Sequence, residues 1–174
     1  MRSPSRRLLS ETPAAGNGKS DTYGDLSRNE RTMYQDLLLA TDGSEGATRA
    51  TEHAIELAYR LESTLHILSV SEEGPHSSEK RDKMRSDPES EAESAVADAE
   101  HAATDAGIET TTTVRQGVPQ EEIVDFADQQ GMDMIIVGTV GRSGLDKLVV
   151  GSVAEEVVQN ATVPVITVRE TDAE

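Results

Sequence analysis

Met134-Ile135-Ile136-Val137-Gly138-Thr139-Val140-Gly141, with Gly151-Ser152 following after nine further residues, is the stretch on which the fold turns. Four apolar residues in a row predict a buried strand. The strand empties into a glycine-rich segment, and that segment leads into a helix that the pattern starts at Ser152. Glycine takes φ > 0 without penalty and carries no Cβ to keep a ligand at a distance. A helix start presents backbone N–H groups without partners and a partial positive charge. Strand, glycine loop and helix start together form a phosphate cradle. One Gly-x-x-Gly alone would be weak; the spaced Gly-Ser pair in this context makes the pattern specific.

The same alternation runs outward in both directions. Upstream, Pro119 predicts a helix that ends near Gly131, and Met132 to Val137 forms the strand just quoted. Before it, Ile108 to Val114 reads as a Thr-rich strand. Asp87-Pro88 reads as an N-cap with proline in the first helical position, opening a helix to Ala106 that Gly107 stops. Thr64 to Val70 is a further strand, and Ser71 to Ser86 a polar loop carrying Lys80, Arg81, Lys83 and Arg85. Ser44 to Leu61 places Ala47, Ala50, Ala54, Leu57, Ala58 and Leu61 on one side of a helix, and Gln35 to Ala40 forms the first strand. Downstream, Ser152 to Asn160 is the last helix and Val165 to Val168 the last strand.

Five strands alternating with helices indicate parallel βαβ units, an α/β class. Right-handed crossovers build a three-layer sandwich around one sheet. Pro164 cannot donate to a ladder, so the last strand belongs at an edge. The first and fourth strands are the most uniformly apolar and belong in the centre. The expected order is 3-2-1-4-5, a Rossmann-like arrangement. Its switch point lies between strands 1 and 4, where open α/β sheets bind ligands. Asp42 and Gly138 would both face that crevice.

Composition narrows the function. At 174 residues the chain has room for one sizeable domain. It lacks an apolar run long enough for a membrane span and a signal-peptide core, and it has no cysteine, so thiolate metal sites and disulfides are excluded. The expected compartment is the cytoplasm. A formal net charge of −17 argues against nucleic acid and anionic membranes as partners. Residues 1–33 hold six Lys/Arg and four acids, whereas residues 34–174 hold ten Lys/Arg against 29 acids. Lysine is rare in the second part, as in proteins of high-salt cytoplasm, where salt screens self-repulsion. Residues 1–32 are polar and without apolar period. They read either as a disordered tail or as the product of a start codon assigned upstream of Met33; residues 33–174 form the domain.

Gly138-x-x-Gly141-x9-Gly151-Ser152, together with Leu37-Leu38-Leu39-Ala40-Thr41-Asp42-Gly43-Ser44, resembles the universal stress protein family over roughly residues 33–170. Its glycine pattern is that of the family's ATP-binding members. The resemblance implies that Gly138, Gly141, Gly151 and Ser152 hold the phosphates. It implies that Asp42 faces the ribose or a phosphate-bound Mg²⁺, and that Val70 and the backbone of Ala40 and Thr41 pack on adenine. Val140 and Val153 lie inside the motif and would touch the nucleotide. The chain departs from the family at Ala40, often proline there, and at Ala154, where some members carry a hydroxyl.

Each residue also has a plain structural reading. Asp42 with Glu45, and Ser152 with Glu155, fit capping boxes. Gly138 and Gly141 fit a tight turn. Arg142 and Lys147 either neutralise phosphate or are solvated, and Lys80 to Arg85 forms either a solvated loop or a lid. His53, His66, His76 and His101 lack metal-ligand spacing and read as surface or packing residues.

Other chemistries fit poorly. There is no Walker A pattern and no Gly-x-Ser-x-Gly elbow. Aromatics are too few to stack a flavin, and a response-regulator receiver would need grouped acids and a lysine that are lacking. The leading expectation is an ATP- and Mg²⁺-binding stress regulator, a homodimer through the last strand, with at most slow hydrolysis and a downstream protein partner. The alternatives are a nucleotide-independent interaction module of the same fold and an adenylate-forming enzyme using the same crevice.

Overall fold

Leu37, Leu38 and Leu39 are completely buried in the middle of a five-stranded sheet, and the rest of the fold follows from them. The computed structural model describes residues 33–72, 87–139 and 151–169, all within the compact unit Arg31–Glu174. The elements are β1 (Asp36–Ala40), α1 (Glu45–Leu61), β2 (Thr64–Glu72), α2 (Pro88–Asp105), β3 (Thr110–Gly117), α3 (Pro119–Gln130), β4 (Met134–Gly138), α4 (Ser152–Asn160) and β5 (Val165–Val168). The sheet order is β3-β2-β1-β4-β5 and every pairing is parallel. The expected α/β sandwich and its 3-2-1-4-5 order are both present.

A strand sends alternate side chains to opposite faces. Leu37 and Leu39 join Leu65, Ile67, Met134 and Ile136 on one face, beneath α1 and α2. Leu38 and Ala40 join Leu68, Ile135 and Val137 on the other, beneath α3 and α4. Central strands covered on both sides have no polar alternation, which is why β1 and β4 read as continuous apolar runs. Each fully buried leucine contributes about 1.5–3 kcal/mol of transfer free energy. The helices reply with small residues: Ala50, Ala54 and Ala58 on α1, and Ala95, Ala99 and Ala103 on α2. Alanine combines the best helix propensity with a short side chain, so both helices lie close on the sheet.

Boundaries differ from expectation in instructive places. β3 begins two residues later than the sequence pattern indicates and ends three later. Ile108 is buried, but its N–H bonds to Ala103 O, so it finishes the turn after α2 instead of entering the ladder. β2 extends to Glu72, taking two residues expected in the following loop. Asp87 is the N-cap of α2 but makes no side-chain capping bond. Gly131 caps α3 in the left-handed conformation, φ 68°, where glycine is favoured. The tail 1–32, the basic stretch Lys80 to Arg85, His76, Arg142 and Lys147 lie outside the described residues.

Candidate functional site: a crevice at the carboxyl edge of the sheet

β1 and β4 are parallel neighbours, with Ala40 opposite Val137, so both chains leave the sheet at the same edge. They then part. β1 continues into α1 on one face, and the chain after β4 comes back as α4 on the other. Diverging connections open a crevice between the two strand ends, as at switch points of open α/β sheets generally.

The β1 side is tightly self-bonded. Thr41 is buried, and its N–H donates to Leu68 O at 2.9 Å. Thr41 Oγ1 accepts the Gly43 N–H at 3.3 Å, and Asp42 Oδ1 accepts the Ser44 N–H at 3.0 Å, an Asx turn. Gly43 allows that turn with φ 74°. Ser44 is the N-cap of α1, and its Oγ accepts the Ala47 N–H at 3.2 Å. The capping box expected from Asp42 and Glu45 is therefore replaced by an Asx turn leading into a serine cap. Asp42 does bond to the helix start, but it lies two residues too early to be the cap.

The β4 side is built differently. The Thr139 N–H bonds to Val168 O on β5, and the Gly151 N–H bonds back to Thr139 O at 2.5 Å. The chain thus returns after residue 150 to where it left the sheet. Gly151 is the N-cap of α4, and Ser152 is its first helical residue, exposed. The Ser152–Glu155 capping box is not formed, because Ser152 sits one position too late; the Glu155 N–H bonds to Gly151 O instead. Gly151 has no side chain to bond the N–H groups of the first turn. α2 and α3 also start without a side-chain cap, but each begins with proline, which removes one of those donors. α4 keeps all of them.

Gly138 and Gly151 are required by the backbone. A Cβ on Gly138 would lie 2.7 Å from Gly46 O and 3.1 Å from Ala47 N, so the end of β4 presses on the first turn of α1. A Cβ on Gly151 would lie 2.7 Å from Thr139 O, against the closure just described. Neither glycine has positive φ among the described residues. Their benefit is close approach of chain to chain, which draws the β4 end, the α1 start and the α4 start together.

The expected adenine contacts also converge. Ala40 belongs to the apolar cluster beneath α3 and α4, and Val70 and Val153 pack against that same cluster. Val70 is two residues beyond Leu68, which pairs with Ala40. Ala154 is buried in the cluster, where a methyl group packs without a hydroxyl to satisfy. Of the expected site residues, Ala40, Thr41, Asp42, Val70, Gly138, Gly151, Ser152 and Val153 are placed, and Val140 and Gly141 lie outside the described residues. Among the described residues there is no group of three His, Asp or Glu side chains able to hold a metal by themselves. No helix among them is long and apolar enough to cross a membrane.

Comparison with known proteins agrees with this geometry. The model of the universal stress protein family matches residues 33–169, most of the chain and all of its described part. The chain belongs to the universal stress protein family. It is 32% identical to universal stress protein MJ0531 of Methanocaldococcus jannaschii, covering 86% of this chain and 90% of that one. It is 30% identical to universal stress protein YxiE of Bacillus subtilis, covering 79% of this chain and 100% of that one. Among solved structures, a universal stress protein from Archaeoglobus fulgidus superposes with a TM-score of 0.65 at 27% identity, covering 78% of this chain and 99% of that one. A universal stress protein solved in complex with cAMP superposes with a TM-score of 0.63 at 25% identity, covering 80% and 100%.

Sequence reasoning missed one arrangement at the other edge of the sheet. His66 bridges Asp36 and Thr111, with Nε2 2.9 Å from Asp36 Oδ1 and Nδ1 2.8 Å from Thr111 Oγ1. These residues are 30 and 45 positions from His66, so no local spacing announces them. By contrast, His53 is a surface residue, as expected, and His101 pairs with Asp105 on the exposed side of α2.

Proposed function

We propose that this universal stress protein binds ATP with Mg²⁺ in the crevice between β1 and β4 and acts as a stress-response regulator. The observation that carries this reading is the start of α4. Its N-cap is a glycine, it has no proline in its first turn, and it opens where the Gly151 N–H bonds to Thr139 O at the end of β4, the strand next to β1. Backbone donors of that kind, with the partial positive charge of the helix end, suit phosphate oxygens. Ser152 adds a hydroxyl, and Gly138 and Gly151 keep the backbone close. Adenine would rest on the apolar floor of Ala40, Val70 and Val153, with the ribose near Asp42. The neighbouring structure holding cAMP supports the adenine nucleotide class.

Mg²⁺ commonly binds through phosphates and water with one or two carboxylates, so a single Asp42 beside the phosphates fits it without a dedicated metal cage. Asp42 already accepts the Ser44 N–H, which disfavours a second duty as general base. Hydrolysis is accordingly expected to be slow. β5 is an edge strand, a surface on which two copies would pair as a homodimer. A sensor of this kind would act in the cytoplasm and pass its state to a protein partner through a nucleotide-dependent surface.

Mass spectrometry of small molecules retained by the purified full chain, followed by titration with Mg·ATP and with cAMP, tests the proposal. Retained adenine nucleotide with one site per chain supports it. A folded protein that retains none and gives no heat with either ligand refutes it and leaves the nucleotide-independent interaction module.

A further inference from the structure

The amino edge of the sheet carries a second arrangement, far along the strands from the crevice. Asp36, His66 and Thr111 lie on β1, β2 and β3, three adjacent parallel strands. His66 pairs in register with Thr111, and Asp36 pairs with Thr64, two residues before His66. All three side chains share the face that carries Leu38 and Leu68, by strand alternation. Each link is short: 2.9 Å from Asp36 Oδ1 to Nε2, and 2.8 Å from Nδ1 to Thr111 Oγ1.

The chemistry of the partners fixes the direction of the chain. An ionised carboxylate can only accept, so in the neutral ring the proton sits on Nε2 and faces Asp36. Nδ1 is then bare and must accept, so the Thr111 hydroxyl donates to it. Asp36 is held in turn, because its own N–H and that of Gln35 donate to Asp133 Oδ2 at 2.9 and 2.8 Å. The order is hydroxyl, imidazole base, orienting carboxylate, with the two ring nitrogens exchanged relative to serine hydrolases. The His66 side chain is 18% exposed, Asp36 is 37% exposed, and Thr111 is open to solvent. β3 is an edge strand. The Leu65 N–H bonds to Glu109 O, so the alternation of a parallel ladder directs the Thr111 N–H at β2 and the Thr112 N–H outward at the open edge.

We propose that Thr111 is an activated hydroxyl that accepts acyl groups from activated esters, with His66 as its base and Asp36 as a positioning residue. In the step, Thr111 Oγ1 attacks the ester carbonyl carbon while its proton passes to His66 Nδ1. The Oγ1–C bond forms and the bond from that carbon to the ester oxygen breaks. The departing oxygen leaves with the bonding pair and takes the proton back from Nδ1. The product is an O-acylthreonine and a free alcohol or phenol, with His66 neutral again. The site is independent of nucleotide binding.

The test is p-nitrophenyl acetate added to the full-length protein, with acetylation followed residue by residue by mass spectrometry. Thr111 should be acetylated at least about 100-fold faster than Thr110 and Thr112, the low end of what a positioned base supplies. His66→Gln should bring it down to their rate, and Thr111→Ser should retain it. Asp36→Asn, whose amide fills the same space, should slow Thr111 while acetylation of the exposed Tyr59 stays constant as an internal reference, which loss of structure would not produce. Equal rates at Thr110, Thr111 and Thr112 would overturn the proposal. So would an unchanged rate in His66→Gln, or, if that variant does not fold, in Asp36→Asn.

Discussion

Two helices start within the same crevice and solve the same problem in opposite ways. α1 satisfies its own first turn: Ser44 Oγ takes the Ala47 N–H, and Asp42 takes the Ser44 N–H just before the helix. α4 is entered through Gly151, which offers no side chain, and its first residue, Ser152, is exposed. A capped start contributes stability, typically about 1 kcal/mol, and leaves little for a ligand to bond. An uncapped start gives up that contribution and keeps its donors. The division places a self-satisfied turn at the end of β1 and, in the proposed reading, leaves the α4 start for a phosphate.

The largest effect should come from the glycine that holds the two starts together. Gly138→Val puts a side chain against Gly46 and Ala47, and both contacts are backbone, so no rotamer relieves them. Overpacking of this kind costs about 1–3 kcal/mol or more. A thermal melt should show a clear loss, with nucleotide affinity falling in the same variant because the crevice walls separate. An unchanged melting temperature would show that the β4 end and the α1 start are not pressed together.

Asp42→Ala should come next, and it separates the two roles of the β1 end. Losing one hydrogen bond at the Asx turn costs about 1 kcal/mol. If the carboxylate also faces the ribose or Mg²⁺, ATP should weaken by more than that loss implies, about tenfold for each 1.4 kcal/mol. Melting and titration of the same variant decide it; a stability loss with unchanged affinity would confine Asp42 to the turn. Ser44→Ala should be smaller in its functional reach. It removes the α1 cap and about 0.5–2 kcal/mol of stability. ATP affinity should be unaffected in titration, and a fall there would mean that α1, too, takes part in binding.

The contrast between the two helix starts was only half visible in the sequence. Buried parallel strands announce themselves as apolar runs, so β1 and β4 stood out, and the last helix and strand fell where their punctuation put them. β3 was displaced because Ile108, apolar and adjacent to a Thr run, looks like a strand residue but plugs the end of α2. The capping residues were misassigned by one or two positions at both helix starts. Ser-x-x-Glu and Asp-x-x-Glu are spacing rules, and the Asx turn at Asp42 and the glycine entry at Gly151 shift the true caps. The glycine pattern points to a phosphate at Gly138, but no linear pattern exposes the backbone atoms of Gly46 and Ala47 that a Cβ there would meet. The Asp36–His66–Thr111 chain could not be found from spacing at all, since register alone aligns those residues.

The most direct measurement uses the property that separates the two helix starts. Ser152→Asp places a carboxylate in the first turn of α4, where it interacts favourably with the helix end by about 0.3–1 kcal/mol and repels phosphate. Titration of Mg·ATP into the wild-type chain and this variant, alongside melts of both without nucleotide, gives two readings of opposite sign. The account expects the variant to melt at the same temperature or higher and to bind ATP at least about tenfold more weakly, a loss of about 1.4 kcal/mol. Equal affinity in the two proteins would contradict it and remove the nucleotide from the start of α4.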